Sequence, residues 1–271
     1  MHNWRLWMFT ALMATSLAAC AGNNNEVIIG KVDNLYNDGM DQMEAKQWKK
    51  AINVFEELQR QHPYSGWATR SEMMTAYAHF RLSEYDAARG ILDDFIRLHP
   101  GHEDLPYVYY LKALSYYDEI SDVSRDQGNT HEALKGFEEV VRRFPDSVYA
   151  RDAQLKITLC RDHIAGQEMS IGRYYQQKGR YTAAIDRFQT VLKDYDRTQQ
   201  IPEALYRMVE SYLALGLRDE AKKSAAVLGY NYPNSAWYHD AYKLLNEDLP
   251  PAKIDNNSLS KDVWDGTKKL F

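Results

Sequence analysis

The feature that most restricts what this chain can become is a pattern that occurs five times. Trp48-x-x-Ala51-x-x-x-Phe55-x-x-Leu58-x-x-x-His62-Pro63 is the first occurrence, and Tyr85-x-x-Ala88-x-x-x-Leu92-x-x-Phe95-x-x-x-His99-Pro100 is the second. The third keeps Ala133, Phe137, Val140 and Phe144-Pro145. The fourth has Tyr181, Ala184, Phe188, Val191 and Tyr195, with Asp196 where Pro stands elsewhere. The fifth has Ala221, Ala225, Leu228 and Tyr232-Pro233. Steps of three and four place the small residue, the large apolar residue and the closing ring on one helical face. The small Ala admits a neighbouring helix, and Pro stops the helix it follows. The closing positions lie 37, 45, 51 and 37 residues apart, which leaves room for a partner helix before each copy.

Such a unit resembles the tetratricopeptide (TPR) repeat, about 34 residues of paired antiparallel helices. The resemblance predicts an all-α fold, a superhelical solenoid of about five TPR repeats. Partner helices are expected around Leu35–Met43, Met73–Ala78, Tyr107–Tyr117 and Ala204–Leu215. From Val148 to about Lys178 a continuous helical pattern with Leu155, Leu159, Tyr174 and Tyr175 reads as an extra helix or one unusually long one. Residues 121–128 form a polar insertion. With 14 Gly and 8 Pro in 271 residues, the chain is too poor in turn residues for an all-β protein. The repeats fill 31–245, divided into an N-terminal half (31–120) and a C-terminal half (121–245). Past residue 246 the pattern stops, and Pro250-Pro251 and Asn256-Asn257-Ser258 mark 246–271 as a disordered tail.

The other end carries an address. Arg5 precedes an apolar run from Leu6 to about Leu17, too short to span a bilayer but suited to a secretory signal. Leu17-Ala18-Ala19-Cys20 resembles the lipobox of bacterial lipoproteins. That resemblance implies removal of residues 1–19, a diacylglycerol thioether on Cys20 and acylation of the new amino terminus, with 20–30 as a lipidated tether. Several acyl chains anchor a protein stably, at about 0.8 kcal/mol per buried methylene. Ala21 stands where lipoproteins retained in the inner membrane commonly carry Asp. The expected destination is therefore the periplasmic face of the outer membrane.

Charge and chemistry exclude several function classes. Lys+Arg 33 against Asp+Glu 38 gives a net charge of −5, which offers no electrostatic footprint for nucleic acid. No Gly-rich phosphate loop, HExxH or GxSxG occurs. Glu132 follows His131, but the second His of a zinc helix is missing. His99, His102, Glu103 and Asp104 cluster around Pro100 and have the residue types of a metal site. However, His99 and His62 share a repeat position with Phe144 and Tyr232, so a packed ring explains them better. Cys160 reads as a small buried thiol. The expectation is no cofactor, no metal and no enzyme activity; function has to be binding.

Several segments go beyond a generic repeat. His62-Pro63-Tyr64-Ser65, Phe95 to Pro100, Asp104 to Leu111, Ser124-Arg125-Asp126, Phe144-Pro145-Asp146-Ser147 and the stretch from Cys160 through Tyr175 resemble the BamD (ComL/YfiO) family. These are lipoproteins of the outer-membrane β-barrel assembly machine. The likeness runs from about Val32 to Leu245. It implies that the C-terminal half docks on the POTRA domains of BamA, among the other Bam subunits. It also implies that the N-terminal half offers a pocket for an extended peptide, such as the targeting signal of an unfolded outer-membrane protein precursor. On the docking half, Arg187 lies about 110° from the centre of the stripe Ala184, Ile185, Phe188, Val191 and Leu192, hence on the solvent flank. Lys178 and Arg180 sit at the same hairpin. Tyr36, Tyr77, Tyr109 and Tyr110 lie on first helices, whose inner faces line the groove of such superhelices; each either packs or contacts a ligand. Two other readings compete. One is another periplasmic TPR lipoprotein scaffold, such as a pilotin or cell-division adaptor. The other is a hydrolase with a repeat module, for which 31–245 leave no catalytic domain.

Overall fold

In three of the five repeats the residues that close one helix also open the next. In His62-Pro63-Tyr64-Ser65, Phe144-Pro145-Asp146-Ser147 and Tyr232-Pro233-Asn234-Ser235, each serine N–H donates to the carbonyl of the ring residue three positions back, at 3.0 Å. The serine hydroxyl then accepts from the first turn of the following helix: Ala68 N at 3.0 Å, Ala150 N at 3.2 Å and Trp237 N at 3.3 Å. Pro forbids continuation and Ser satisfies an orphan donor, so four residues serve as stop and start together.

A computed structural model describes residues 31–245. Among them are eleven α-helices: α1 (Val32–Glu44), α2 (Trp48–Gln61), α3 (Gly66–Arg81), α4 (Tyr85–Leu98), α5 (Leu105–Tyr117), α6 (Gly128–Arg143), α7 (Val148–Gln177), α8 (Tyr181–Asp194), α9 (Ile201–Ala214), α10 (Arg218–Asn231) and α11 (Ala236–Leu244). The described residues contain no strand. The expected segments 1–19 and 246–271, the tether 20–30 and Cys20 itself lie outside the described residues.

The tight turn within a hairpin has its own chemistry. Lys46, Ser83, Gly179 and Gly216 have φ of 56°, 60°, 70° and 76°. The next residue's N–H reaches back five positions, Gln47 to Gln42, Glu84 to His79, Arg180 to Tyr175 and Leu217 to Tyr212, at 2.8 to 3.0 Å. This is the Schellman closure, which needs a left-handed residue. Glycine fills that position in two copies and a side chain is strained there in the other two. Lys46→Gly is therefore expected to raise stability by about 0.5–1 kcal/mol, read as a higher urea midpoint at unchanged slope.

The chain divides into two compact units, one ending at Ala78 and one beginning at His79. In the first, α1 packs along α2, and Leu35, Leu58 and Ala68 form a core edged by Val32, Tyr36 and Trp67. In the second, α4 to α11 pack mostly on their sequence neighbours, as tandem hairpins do. The repeat pattern is the core. Ala51, Ala88, Ala133, Ala184 and Ala221 are fully buried, as are Phe55, Phe95, Phe137 and Phe188. Glycine sits under two of these rings: a Cβ on Gly39 would lie 2.3 Å from Phe55, and one on Gly172 would lie 2.3 Å from Phe188.

The stretch from Val148 to Gln177 is one helix of 30 residues, not two, with Lys178 as its C-cap. Its N-terminal half works with α6, where Arg161 donates to Glu138 at 2.7 Å, and its C-terminal half with α8. The buried face is Ala150, Ala153, Ile157, Cys160, Ile164, Ala165, Met169 and Gly172, mostly small residues. Three of the four larger residues of the pattern do not join it, Leu155 being 62%, Leu159 54% and Tyr174 57% exposed, whereas Tyr175 packs half-buried against the core. The polar insertion before α6 is an organised loop. Buried Gln127 donates from Nε2 to the carbonyls of Arg125 at 3.0 Å, Val123 at 3.3 Å and Asp122 at 3.4 Å. After Pro233, where the sequence shows no sixth copy, α11 packs on α10 by laying Tyr238 over Gly229.

Candidate functional site

In the unit ending at Ala78, the repeat places the first-helix rings side by side. Tyr36 of α1 lies 4.6 Å from the Trp67 ring and 5.8 Å from Phe55, while Tyr77 of α3 meets Trp48 edge-on at 6.3 Å. Arg70 lies 5.4 Å from the Trp67 centroid, close enough for a cation–π contact. Both tyrosines are half-buried, so each packs on its neighbours and leaves part of its side chain in solvent. Trp67 belongs to this cluster and was not among the expected residues. Its signal is its place just after the His62–Ser65 turn.

In the other unit the two expected tyrosines part ways. Tyr109 is only 9% exposed, with Arg143 over its ring at 4.5 Å, donating to the phenol oxygen, and Phe144 at 5.5 Å. It is a packing residue. Tyr110 is half-buried, stacks on Tyr149 at 5.3 Å and donates its hydroxyl to Asp152 of α7. Burial raises the Tyr110 pKa, and the Asp152 carboxylate raises it further. Lys156 joins this set, 3.5 Å from Asp152 and 4.8 Å from the Tyr117 ring centroid.

The third place is the α7–α8 hairpin. Arg187 lies off the buried stripe, its side chain 43% exposed. It does not float in solvent. Its Nη1 donates to Glu168 of α7 at 3.1 Å and 3.4 Å, and Glu168 is only 16% exposed. A cleft of about 230 Å³ opens beside the pair, lined by Tyr175, Ala183, Asp186, Arg187 and Thr190. The largely buried Glu168 carboxylate holds the guanidinium in place while the rest of the half-exposed Arg187 side chain faces solvent, a geometry suited to a partner carboxylate. Arg180 is exposed at the start of α8, and Lys178 places its ammonium 5.7 Å from the Tyr174 ring. Glu168 was legible only as a helix residue; nothing in its spacing marks it as the partner of Arg187.

The remaining reactive groups have structural employment. His99 lies 4.9 Å and His102 5.2 Å from the buried Phe95 ring, which is the packing that the repeat position predicts. Among the described residues, no group of three or more His, Cys, Asp or Glu is close enough together to hold a metal. Cys160 is fully buried, and burial pushes its thiol up to about 11. The thiolate is the reactive form, so a Cys20→Ser chain at pH 8 is expected to be labelled at Cys160 by an aromatic disulfide reagent only as fast as α7 opens. Rapid labelling of the native protein would refute the buried assignment.

The helices and their neighbour-to-neighbour packing thus define a TPR solenoid of paired helices. The chain belongs to the YfiO family of outer membrane lipoproteins, whose pattern matches residues 30–228. It is 46% identical over 89% of its length to outer membrane protein assembly factor BamD of Caulobacter vibrioides, of which it covers 81%. To BamD of Rickettsia prowazekii it is 49% identical over 80% of its length, covering 87% of that protein. To BamD of Neisseria meningitidis serogroup A it is 31% identical over 90%, covering 96%. Family and relatives together make it an outer membrane protein assembly factor of the BamD type. A pilotin or cell-division adaptor is set aside.

Proposed function

We propose that the chain is anchored by lipid at Cys20 to the periplasmic face of the outer membrane, and holds the POTRA domains of BamA through the α7–α8 surface around Arg187. Lys178 and Arg180 add positive charge at the same hairpin. In this reading Tyr36 and Tyr77 with Trp67, and separately Tyr110 with Tyr149, offer ring edges to the targeting signals of unfolded outer-membrane proteins. The observation that carries the docking site is the Arg187–Glu168 pair: a half-exposed arginine fixed by a largely buried carboxylate beside an open cleft.

That pair also decides the experiment. Arg187→Glu alone would set two carboxylates against each other inside the chain, so lost binding could reflect lost structure. The double change Glu168→Arg with Arg187→Glu keeps an ion pair and reverses the sign offered to the partner. Affinity for isolated POTRA domains is expected to fall by about tenfold or more, because like charges meet across the interface. Thermal unfolding should move little. Unchanged affinity in the swapped protein would remove this surface from the interface.

A further inference from the structure

Val148, Leu155 and Leu159 are 82%, 62% and 54% exposed, yet they lie within about 20° of one line along α7. Further along α7, Gly166 falls on the same line, and there the helix is covered. Val123 of the 121–127 loop would meet a Cβ on Gly166 at 3.4 Å and Gln200 at 4.0 Å, while Gln199 N–H donates to Asp162 at 3.0 Å. One face of one helix is therefore built over in its second half and bare in its first. The cause is in the repeat. The third and fourth copies stand 51 residues apart, so the first half of α7 packs on α6 while α8 follows only along its second half, leaving the outer face of the first half bare. Three exposed apolar side chains aligned on one helix face, with Arg151 and Asp152 between the first two, are the kind of surface that a partner protein covers.

The charges along the bare stretch narrow the occupant. Asp152 is bonded to Tyr110 and paired with Lys156, and Arg161 is paired with Glu138. Arg151, exposed at the border of the stripe, has no such partner among the described residues. We infer that the Val148–Leu155–Leu159 face is a docking site for an amphipathic helix of a partner protein whose flank is acidic. The apolar residues of that helix cover the bare face, and a carboxylate meets Arg151. The bare stretch is about 17 Å long, three turns, matching a partner helix with anchors at i, i+4, i+7 and i+11. This surface is independent of Arg187 and of the POTRA reading.

The test uses the full mature chain with Cys20→Ala and two synthetic helical peptides of 18 residues. Both carry leucines at those anchor positions, one flanked by glutamates and the other by lysines. By fluorescence anisotropy the glutamate peptide is expected to bind at least tenfold tighter than the lysine peptide. Leu155→Glu with Leu159→Glu should weaken it at least tenfold with the same thermal unfolding, since both side chains are in solvent. Arg151→Glu should reverse the order of the two peptides. Equal affinity for both, or indifference to the Leu155 and Leu159 changes, overturns the inference. Binding that appears only after residues 246–271 are removed also overturns it, because the chain's own tail would then be the occupant.

Discussion

Gly172→Ala is expected to destabilise the chain by about 2–3 kcal/mol, an unusual penalty for a helical Gly-to-Ala change. Propensity alone predicts a gain of about 1 kcal/mol. Packing decides otherwise. The added Cβ would lie 2.3 Å from Cε1, 2.8 Å from Cδ1 and 2.9 Å from Cζ of Phe188, whose ring is fully buried between α7, α8 and their neighbours. A ring edge cannot bend aside as the end of a flexible side chain can, so the two helices must separate. Gly90→Ala in α4 is the control: nothing lies within 4 Å of its Cβ, and it should show the propensity gain of about 0.5–1 kcal/mol. Phe188→Leu should partly rescue Gly172→Ala, and the double mutant should cost at least about 1 kcal/mol less than the sum of the singles. Because tandem hairpins touch mainly their neighbours, hydrogen exchange should show protection lost first in α7, α8 and α9. Simple additivity of the two changes would mean that this contact does not set the helix spacing.

The same contact shows what a sequence can and cannot disclose. The buried face of each second helix was legible because the pattern repeats five times, and Ala51, Phe55, Ala184 and Phe188 are core as that pattern requires. Where helices stop was legible from Pro. Where they start was hidden in the serine two residues later, because Ser is common and its role is visible only once its hydroxyl is seen accepting from Ala68 or Ala150. The apolar count misled in α7. Leu155 and Leu159 have helical spacing, yet the buried face belongs to Ala150, Ala153, Ile157 and Cys160. Periodicity shows that a stripe exists; it does not say which of two stripes meets a neighbour. For the site, the flank position of Arg187 followed from helix geometry. Its partner Glu168, 19 residues away, did not, since that pairing depends on how α7 and α8 pack. Likewise Tyr109 and Tyr110 are adjacent in sequence and differ in fate. Successive helical residues point about 100° apart, and one direction leads toward Arg143 and Phe144.

Gln127→Leu is expected to loosen the 121–127 loop by about 2 kcal/mol while keeping nearly the same side-chain volume. The loss is of hydrogen bonds alone. Besides its three donations to loop carbonyls, Gln127 accepts at Oε1 from Thr130 at 2.8 Å and pairs with His163 Nδ1 of α7 at 2.8 Å. One amide thus ties the loop to the start of α6 and to the face of α7. With leucine there, the Asp122 and Val123 carbonyls lose their bonds to the amide, whereas Arg125 keeps a donor in Gln167 at 3.2 Å. The loop itself reports the change, because Arg125 is exposed and trypsin cleaves after arginine once a segment opens. At 2 kcal/mol the open population rises about thirtyfold, and cleavage at Arg125 should rise with it when reclosing outpaces the protease. Thr130→Val removes only one of the five bonds and should raise cleavage by about threefold to tenfold. The opening should also bare Gly166, since Val123 covers it, so hydrogen exchange in the middle of α7 is expected to quicken alongside cleavage. Faster cleavage with no change in α7 would show that the loop opens without leaving the helix, and that Gln127 acts within the loop rather than between loop and helix.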